Sequence, residues 1–331
     1  MSLLALYDVP APAKLNLFLH VVGRRADGYH LLHSLFVPID WADRLHFERR
    51  SDALLARHDL AAALPPDDLC LRAARALQQA SGTPLGVDIS IDKHVPSGAG
   101  LGGGSSDAAS TLLALNRLWG LRWPRARLAA IGIALGADVP FFLGPGPALV
   151  EGIGERITPI ALAGAEYLVV KPEAAIATRD VFTHPLLARR LAPGARTGPP
   201  HGLETAAVPP GAAPGSPTPA PAGASAEAAI LAGSFEDNAV LLPGYGRNDL
   251  QPPAEALCPE VAEAARWLEA RFGASRMSGS GSAVFARVDE FGGMAASPGT
   301  VAQALDDLRR MHPRWVARRC RGLPEHPLAH W

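Results

Sequence analysis

Two lobes of α+β structure are the fold class this sequence predicts, and three observations carry it. At 331 residues the chain is long for one compact domain and long enough for each of two lobes to bury its own core. A composition of 48% hydrophobic and 19% charged residues is that of an ordinary globular enzyme. Strand and helix signals are mixed along the chain in an order that favours α+β lobes over a doubly wound sheet.

From Leu15 to Val21 the apolar residues alternate, and the turn-forming Asp27-Gly28 precedes a second extended run from Leu31 to Ile39, so an antiparallel pair is expected. Asp67 or Asp68 can cap a helix that carries Leu69, Ala73, Ala76 and Leu77 on one face and stops at Gly82. Val87 to Ile91 reads as a strand. The run PSGAGLGGGSSD, Pro96 to Asp107, follows it directly, and a helix is expected from Ala108 to Trp119, stopping at Gly120. A second helix, Arg125 to Leu135, feeds GADVPFF from Gly136 to Phe142. The first lobe is expected to span 1–160 and the second 161–331, opening on a strand from Tyr167 to Lys171.

Between about 192 and 224 the chain is dominated by Pro, Ala, Gly, Ser and Thr, too poor in large apolar residues to offset its ordering entropy, which predicts a disordered insertion. Beyond it, Pro259 and Gly273 bracket a helix containing Val261, Ala265 and Leu268. A glycine-serine turn, Ser278 to Ser282, leads into a strand from Ala283 to Val288. A helix from Val301 to Met311 and a strand near Trp315 to Arg319 follow. No internal repeat interrupts this order.

Thirty-one Lys and Arg against 32 Asp and Glu leave a net charge of -1, which gives no broad electrostatic reason to bind nucleic acid or an anionic membrane. A phosphate must therefore be gripped locally. Cys70, Cys258 and Cys320 stand far apart without paired spacing, so they read as free thiols in a reducing cytoplasm. Asp8 and Lys14 interrupt the N-terminal apolar stretch, and no other stretch is apolar for long enough to cross a bilayer, so neither a signal peptide nor a membrane span is expected. Oligomeric state is open, a homodimer included.

The loop Pro96, Ser97, Gly98, Ala99, Gly100, Leu101, Gly102, Gly103, Gly104, Ser105, Ser106 keeps side chains out of the way, so successive backbone N–H groups can converge on a phosphate at the positive end of the helix that follows. Ser105 and Ser106 add hydroxyl donors or a magnesium ligand. The P-loop is excluded, because Gly103-Gly104 is followed by Ser105 and not by Lys. Gly98, Gly100 and Gly103 match GxGxxG, yet Ala108 to Ala137 contains no Asp or Glu to hold a ribose, which argues against a dinucleotide fold.

This run resembles the phosphate-binding loop of the GHMP kinases. APAKLNLFL (Ala11 to Leu19), RADGYHLLHSLF (Arg25 to Phe36) and GADVPFFL (Gly136 to Leu143) resemble the subgroup of that family that acts on 4-diphosphocytidyl-2-C-methyl-D-erythritol, as does SGSGSAVFA (Ser278 to Ala286). The resemblance implies the two-lobed GHMP kinase fold, with a ribosomal S5 domain 2-like first lobe and a ferredoxin-like second one. It also implies that ATP, with Mg2+, phosphorylates the 2-hydroxyl of that small molecule in non-mevalonate isoprenoid biosynthesis.

By the same resemblance Lys14 and Asp138 form the catalytic pair. On position alone Asp138 would be a cap before Val139-Pro140 and Lys14 a solvated charge at a strand start. Asn16, two residues from Lys14, shares its strand face and would bond the methylerythritol hydroxyls; alone it is a strand-edge polar residue. Tyr29 and His30 would stack on cytosine and bond its edge, the alternative being a core tyrosine beside an incidental surface histidine. Phe182 resembles the second aromatic wall, followed here by Thr183 where the family often has a basic residue. The metal ligands are not legible.

Overall fold

The computed structural model describes residues 3–61, 63–190, 246–289 and 298–331. The expected insertion at about 192–224 lies outside these. Two strands dominate the first lobe, β1 (Ala5–Arg24) and β2 (His30–Arg50), and they pair antiparallel along nearly their whole length. Both run well beyond the alternating stretches that predict them. Pro10 and Pro12 are tolerated inside β1 because it is an edge strand, laddered only with β2.

The far edge of β2 is shared. β4 (Gly86–Asp92) pairs with its second half and β5 (Ala148–Gly152) with its first; β3 (Leu55–Asp59) and β6 (Arg156–Pro159) complete the sheet in the order β3-β4-β2-β5-β6. β3, β5 and β6 have no counterpart among the sequence expectations. α1 (Leu69–Ser81) is capped by Asp68, whose carboxylate accepts from Leu71 N at 3.1 Å. It packs against α2 (Gly103–Leu118), which begins inside the glycine loop, five residues before the expected start. α2 is buried almost all round, and Ser110 Oγ anchors it to Pro10 O at 2.8 Å. α3 (Arg125–Leu135) and the single turn α4 (Val139–Phe142) pack beside it.

The second sheet runs β10-β7-β9-β8, all antiparallel, from β7 (Glu166–Lys171), β8 (Arg276–Met277), β9 (Val284–Arg287) and β10 (Val316–Arg321). Two short helices, α5 (Thr178–Thr183) and α6 (Pro185–Arg190), follow β7. Beyond the undescribed stretch come α7 (Gln251–Leu257), α8 (Pro259–Phe272) and α9 (Pro298–Met311). Gly273 ends α8 in the left-handed conformation, as its place after the last apolar residue predicts.

One apolar cluster fills the first lobe and another the second, while a third bridges them, joining Leu15, Leu17 and Val37 to Tyr167, Val169 and Phe285. The last ten residues return to the first lobe, where Leu328 is buried and His326 N donates to Pro145 O. Among the described residues no helix is long and apolar enough to cross a membrane.

Candidate active site

Lys14 and Asn16 lie two residues apart on β1 and face the same way, so that Lys14 Nζ donates to Asn16 Oδ1 at 2.5 Å. β2 supplies their neighbours: Asn16 Nδ2 donates to Ser34 Oγ at 3.0 Å, and the Phe36 ring lies 4.6 Å from the ammonium. Asp138 comes from the turn before α4, its Oδ2 3.7 Å from Lys14 Nζ. It makes no capping bond to α4, and Lys14 is 3% exposed, so neither the cap nor the solvated charge describes this pair.

Taking an ammonium out of water costs on the order of several kcal/mol. Burial accordingly pushes Lys14 below the ordinary lysine pKa, while the Asp138 charge opposes that fall. The Asp138 side chain is 31% exposed, at the edge of a cavity of about 430 Å³. A buried cation beside a half-exposed carboxylate at a cavity wall is suited to a substrate that brings further negative charge.

The glycine loop divides this cavity from a second one, of about 350 Å³, on its other face. Gly98, Gly100 and Gly102 border both. Gly100 has φ +72° and comes so close to the second lobe that a Cβ there would stand 2.1 Å from Ser278 O. At Gly102, φ +74°, a Cβ would meet the Phe142 ring at 3.0 Å and Lys14 Cγ at 3.2 Å. Only glycine fits these two positions. Loop residues from Pro96 to Ser105 line the second cavity, and the first N–H groups of α2, which lack partners inside any helix, open on that side. Ser106 differs: it is fully buried, its Oγ without a hydrogen-bond partner, whereas Ser105 Oγ lies near Gly136.

At the base of the loop stands a triad that the motifs do not reveal. Lys93 Nζ bonds Asp107 Oδ2 at 2.6 Å and also Asp43, whose other oxygen accepts from His94 N at 2.6 Å and Val95 N at 2.7 Å. Burial pushes the Asp107 carboxyl up to about 8, with Lys93 opposing and Asp43 adding to the rise. This set fixes both the entry to the loop and the first turns of α2.

The remaining expected residues meet at the far end of the first cavity. The turn Arg25 to Tyr29 closes through Gly28 N to Arg25 O at 3.0 Å, leaving Tyr29 exposed on the rim. The His30 and Phe182 rings face each other with centroids 5.2 Å apart. Burial, helped by Arg24, lowers the His30 pKa and favours the neutral imidazole. The second lobe reaches in through its glycine-serine turn. Ser278 Oγ donates to Gly100 O at 3.0 Å, and Asn248 Nδ2 donates to Met277 O and Gly279 O at 2.8 and 2.7 Å.

Sequence reading missed Ser34, Phe36, Asn248 and the Lys93 triad. One signal was available for the triad. Of 31 basic residues only Lys14, Lys93 and Lys171 are lysine; Lys14 and Lys171 are buried, and the Lys93 side chain is 12% exposed.

Residues 68–146 match the family described as GHMP kinases N terminal domain, and 226–313 match GHMP kinases C terminal. The chain is 57% identical to the 4-diphosphocytidyl-2-C-methyl-D-erythritol kinase of Methylibium petroleiphilum, over 100% of this chain and 99% of the relative. It belongs to the GHMP kinases, in the 4-diphosphocytidyl-2-C-methyl-D-erythritol kinase family. A relative of the same name in Polaromonas naphthalenivorans is 49% identical over 99% of this chain and 96% of its own. Among solved structures, a 4-(cytidine 5'-diphospho)-2C-methyl-D-erythritol kinase superposes with TM-score 0.68 and 36% identity, covering 95% of this chain and 98% of that one. Methanococcus jannaschii mevalonate kinase, 14% identical with TM-score 0.60 over 97% and 99% of the two chains, shares the GHMP kinase fold.

Proposed function

We propose that this chain transfers the γ-phosphate of ATP to the 2-hydroxyl of 4-diphosphocytidyl-2-C-methyl-D-erythritol, releasing ADP and a proton, in the cytoplasm. The observation that carries the reading is the glycine loop standing between two cavities, with Lys14 and Asp138 on the acceptor side. Phosphates laid on the Pro96 to Ser106 loop and the α2 N-terminus would point their reactive end at the pair across Gly98, Gly100 and Gly102.

The acceptor hydroxyl, placed beside Asp138, gives its proton to that carboxylate as its oxygen attacks the γ-phosphorus. Lys14 holds Asp138 ionised and offers its own charge to the transferred phosphoryl group. Asn16, oriented by Ser34, bonds the methylerythritol hydroxyls. The cytosine stacks on the Tyr29 ring at the rim, with Phe182 as the second aromatic wall and His30 bonding its edge, and the Ser278 to Ser282 turn approaches the diphosphate from the second lobe.

Among the described residues no group of three or more His, Cys, Asp or Glu could hold a metal. Mg2+ would be carried mainly by the nucleotide phosphates and water, with one or two protein oxygens. Ser105, whose hydroxyl lies toward the Asp138 turn, is the oxygen suited to it. The ion would offset the phosphates' charge.

The test is turnover with ATP and magnesium on this acceptor beside homoserine, mevalonate, galactose and uncytidylated methylerythritol phosphate. Strong preference for the cytidylated acceptor is expected. Preference for any of the others would overturn the substrate assignment.

A further inference from the structure

Lys171 stands at the end of β7, 6% exposed and away from both cavities' walls. Its Nζ donates to Pro172 O at 2.6 Å, Glu173 O at 3.3 Å and Ala174 O at 2.9 Å. An ammonium has three N–H donors, and here three successive carbonyls of one turn take them all. Ala174 is gripped from two more sides, its O accepting from Ser282 Oγ at 2.6 Å and its N donating to Glu260 Oε2 at 3.3 Å.

What the turn carries gives this arrangement its meaning. Ala175 lies against the loop, its Cβ 3.2 Å from where a Cβ on Gly98 would be. Ile176 and Thr178 line the acceptor cavity, and Thr178 Oγ1 shares a hydrogen bond with Ser280 Oγ at 2.8 Å. α5 then presents Phe182 to His30. The wall of the proposed cytidine slot is thus built on a turn folded around one cation.

Composition strengthens the reading. A chain that uses arginine for all but three of its 31 basic side chains keeps lysine here. A flat guanidinium cannot be enclosed by three carbonyls of one tight turn, whereas a compact ammonium can.

We propose that Lys171 is a positioning residue for the acceptor: its ammonium folds the 172–174 turn so that Ile176, Thr178 and Phe182 stand where the cytidine end of the substrate binds. This rests on the function proposed above. Lys171 touches neither substrate nor nucleotide, so its loss acts on acceptor binding and not on the phosphoryl transfer itself.

The experiment compares the wild-type chain with Lys171→Met, which keeps the length and removes the donors, and Lys171→Gln, which keeps two donors on a shorter stem. The readouts are both KM values, kcat, calorimetric binding of cytidine diphosphate, and Tm. Lys171→Met should raise the acceptor KM and weaken cytidine diphosphate binding about tenfold, the scale of a displaced recognition wall, with ATP KM and kcat held within about threefold. Lys171→Gln should fall between.

Unchanged acceptor KM and cytidine diphosphate binding in a folded variant would overturn the proposal. So would a loss in which both KM values, kcat and Tm move together, or failure of both variants to fold, since Lys171 would then serve the fold alone. A wild-type chain that does not turn over the cytidylated acceptor would instead refute the proposed function, a result visible before any variant is made.

Discussion

Lys14 Nζ and Asp138 Oδ2 stand 3.7 Å apart, the lysine buried under the glycine loop and the aspartate half open to the acceptor cavity. The asymmetry assigns the work. The buried member is held by Asn16 and Phe36 and can act as a fixed charge, while the open member can meet a hydroxyl.

Asp138→Asn keeps the shape and removes basicity and charge. With saturating substrates kcat should fall roughly 10²- to 10⁴-fold while ATP binding is little changed. Near-normal turnover would remove Asp138 from the chemistry.

Gly100→Ala tests the contact between the lobes. The left-handed backbone at φ +72° costs about 1–2 kcal/mol for any residue with a Cβ. The larger effect is steric, since that Cβ would sit 2.1 Å from Ser278 O and must push the glycine turn away from the loop. The variant should melt lower and lose most of its turnover. A melting temperature and a kcat both equal to wild type would show that the two lobes do not need this approach.

The parts of this molecule that were legible in the sequence are local ones. The glycine loop could be read because five glycines and two serines open a helix within a dozen residues, and the strand pair because alternation and Asp27-Gly28 lie next to each other. The start of α2 was misplaced because glycines disfavour helix, and here tertiary packing overrides that preference, with Gly103 fitted closely against Val95. β3, β5 and β6 are short and owe their existence to pairing with β4, β2 and β5 in turn, which no local pattern announces. The Lys93 triad draws its members from β2, from just past β4 and from α2, so only the fold brings them together.

That triad has a consequence for stability. A carboxyl held up to about 8 in the folded chain, against an ordinary 3.8, keeps its proton when the unfolded chain has lost it. Between about pH 4 and about pH 8 the native state therefore binds more protons, so this group's contribution to stability falls as pH rises and levels off above that window. His20 and His326, both depressed to about 4 chiefly by burial, act in the opposite sense at the acid end. The difference between wild type and Asp107→Asn isolates the carboxyl. The variant, which carries a neutral amide at every pH, should gain in Tm relative to wild type as pH is raised through this range. A difference that does not change with pH would mean that Asp107 is ionised in the folded chain throughout.

The cytidine slot is where substrate choice should reside. Tyr29 is 62% exposed in this structure, at a turn fixed by Gly28 N to Arg25 O and by Tyr29 N to Asp27 Oδ1 at 3.2 Å, so its backbone is placed while its ring is left to meet a ligand. An aromatic ring stacked on one base contributes about 1–3 kcal/mol, and Tyr29→Ala should lower kcat/KM for the cytidylated acceptor by a corresponding amount. Because the nucleotide end is remote from the reacting hydroxyl, part of that loss should fall on kcat: binding energy there helps hold the hydroxyl in line with the γ-phosphate. ATP affinity should be spared, since the second cavity lies across the glycine loop and Tyr29 is not among the residues that line it. Removing an exposed ring should leave Tm nearly unchanged, which separates a binding role from a structural one. Equal kcat/KM for wild type and variant would place the cytosine elsewhere, and a matching loss in ATP affinity would put Tyr29 at the nucleotide instead.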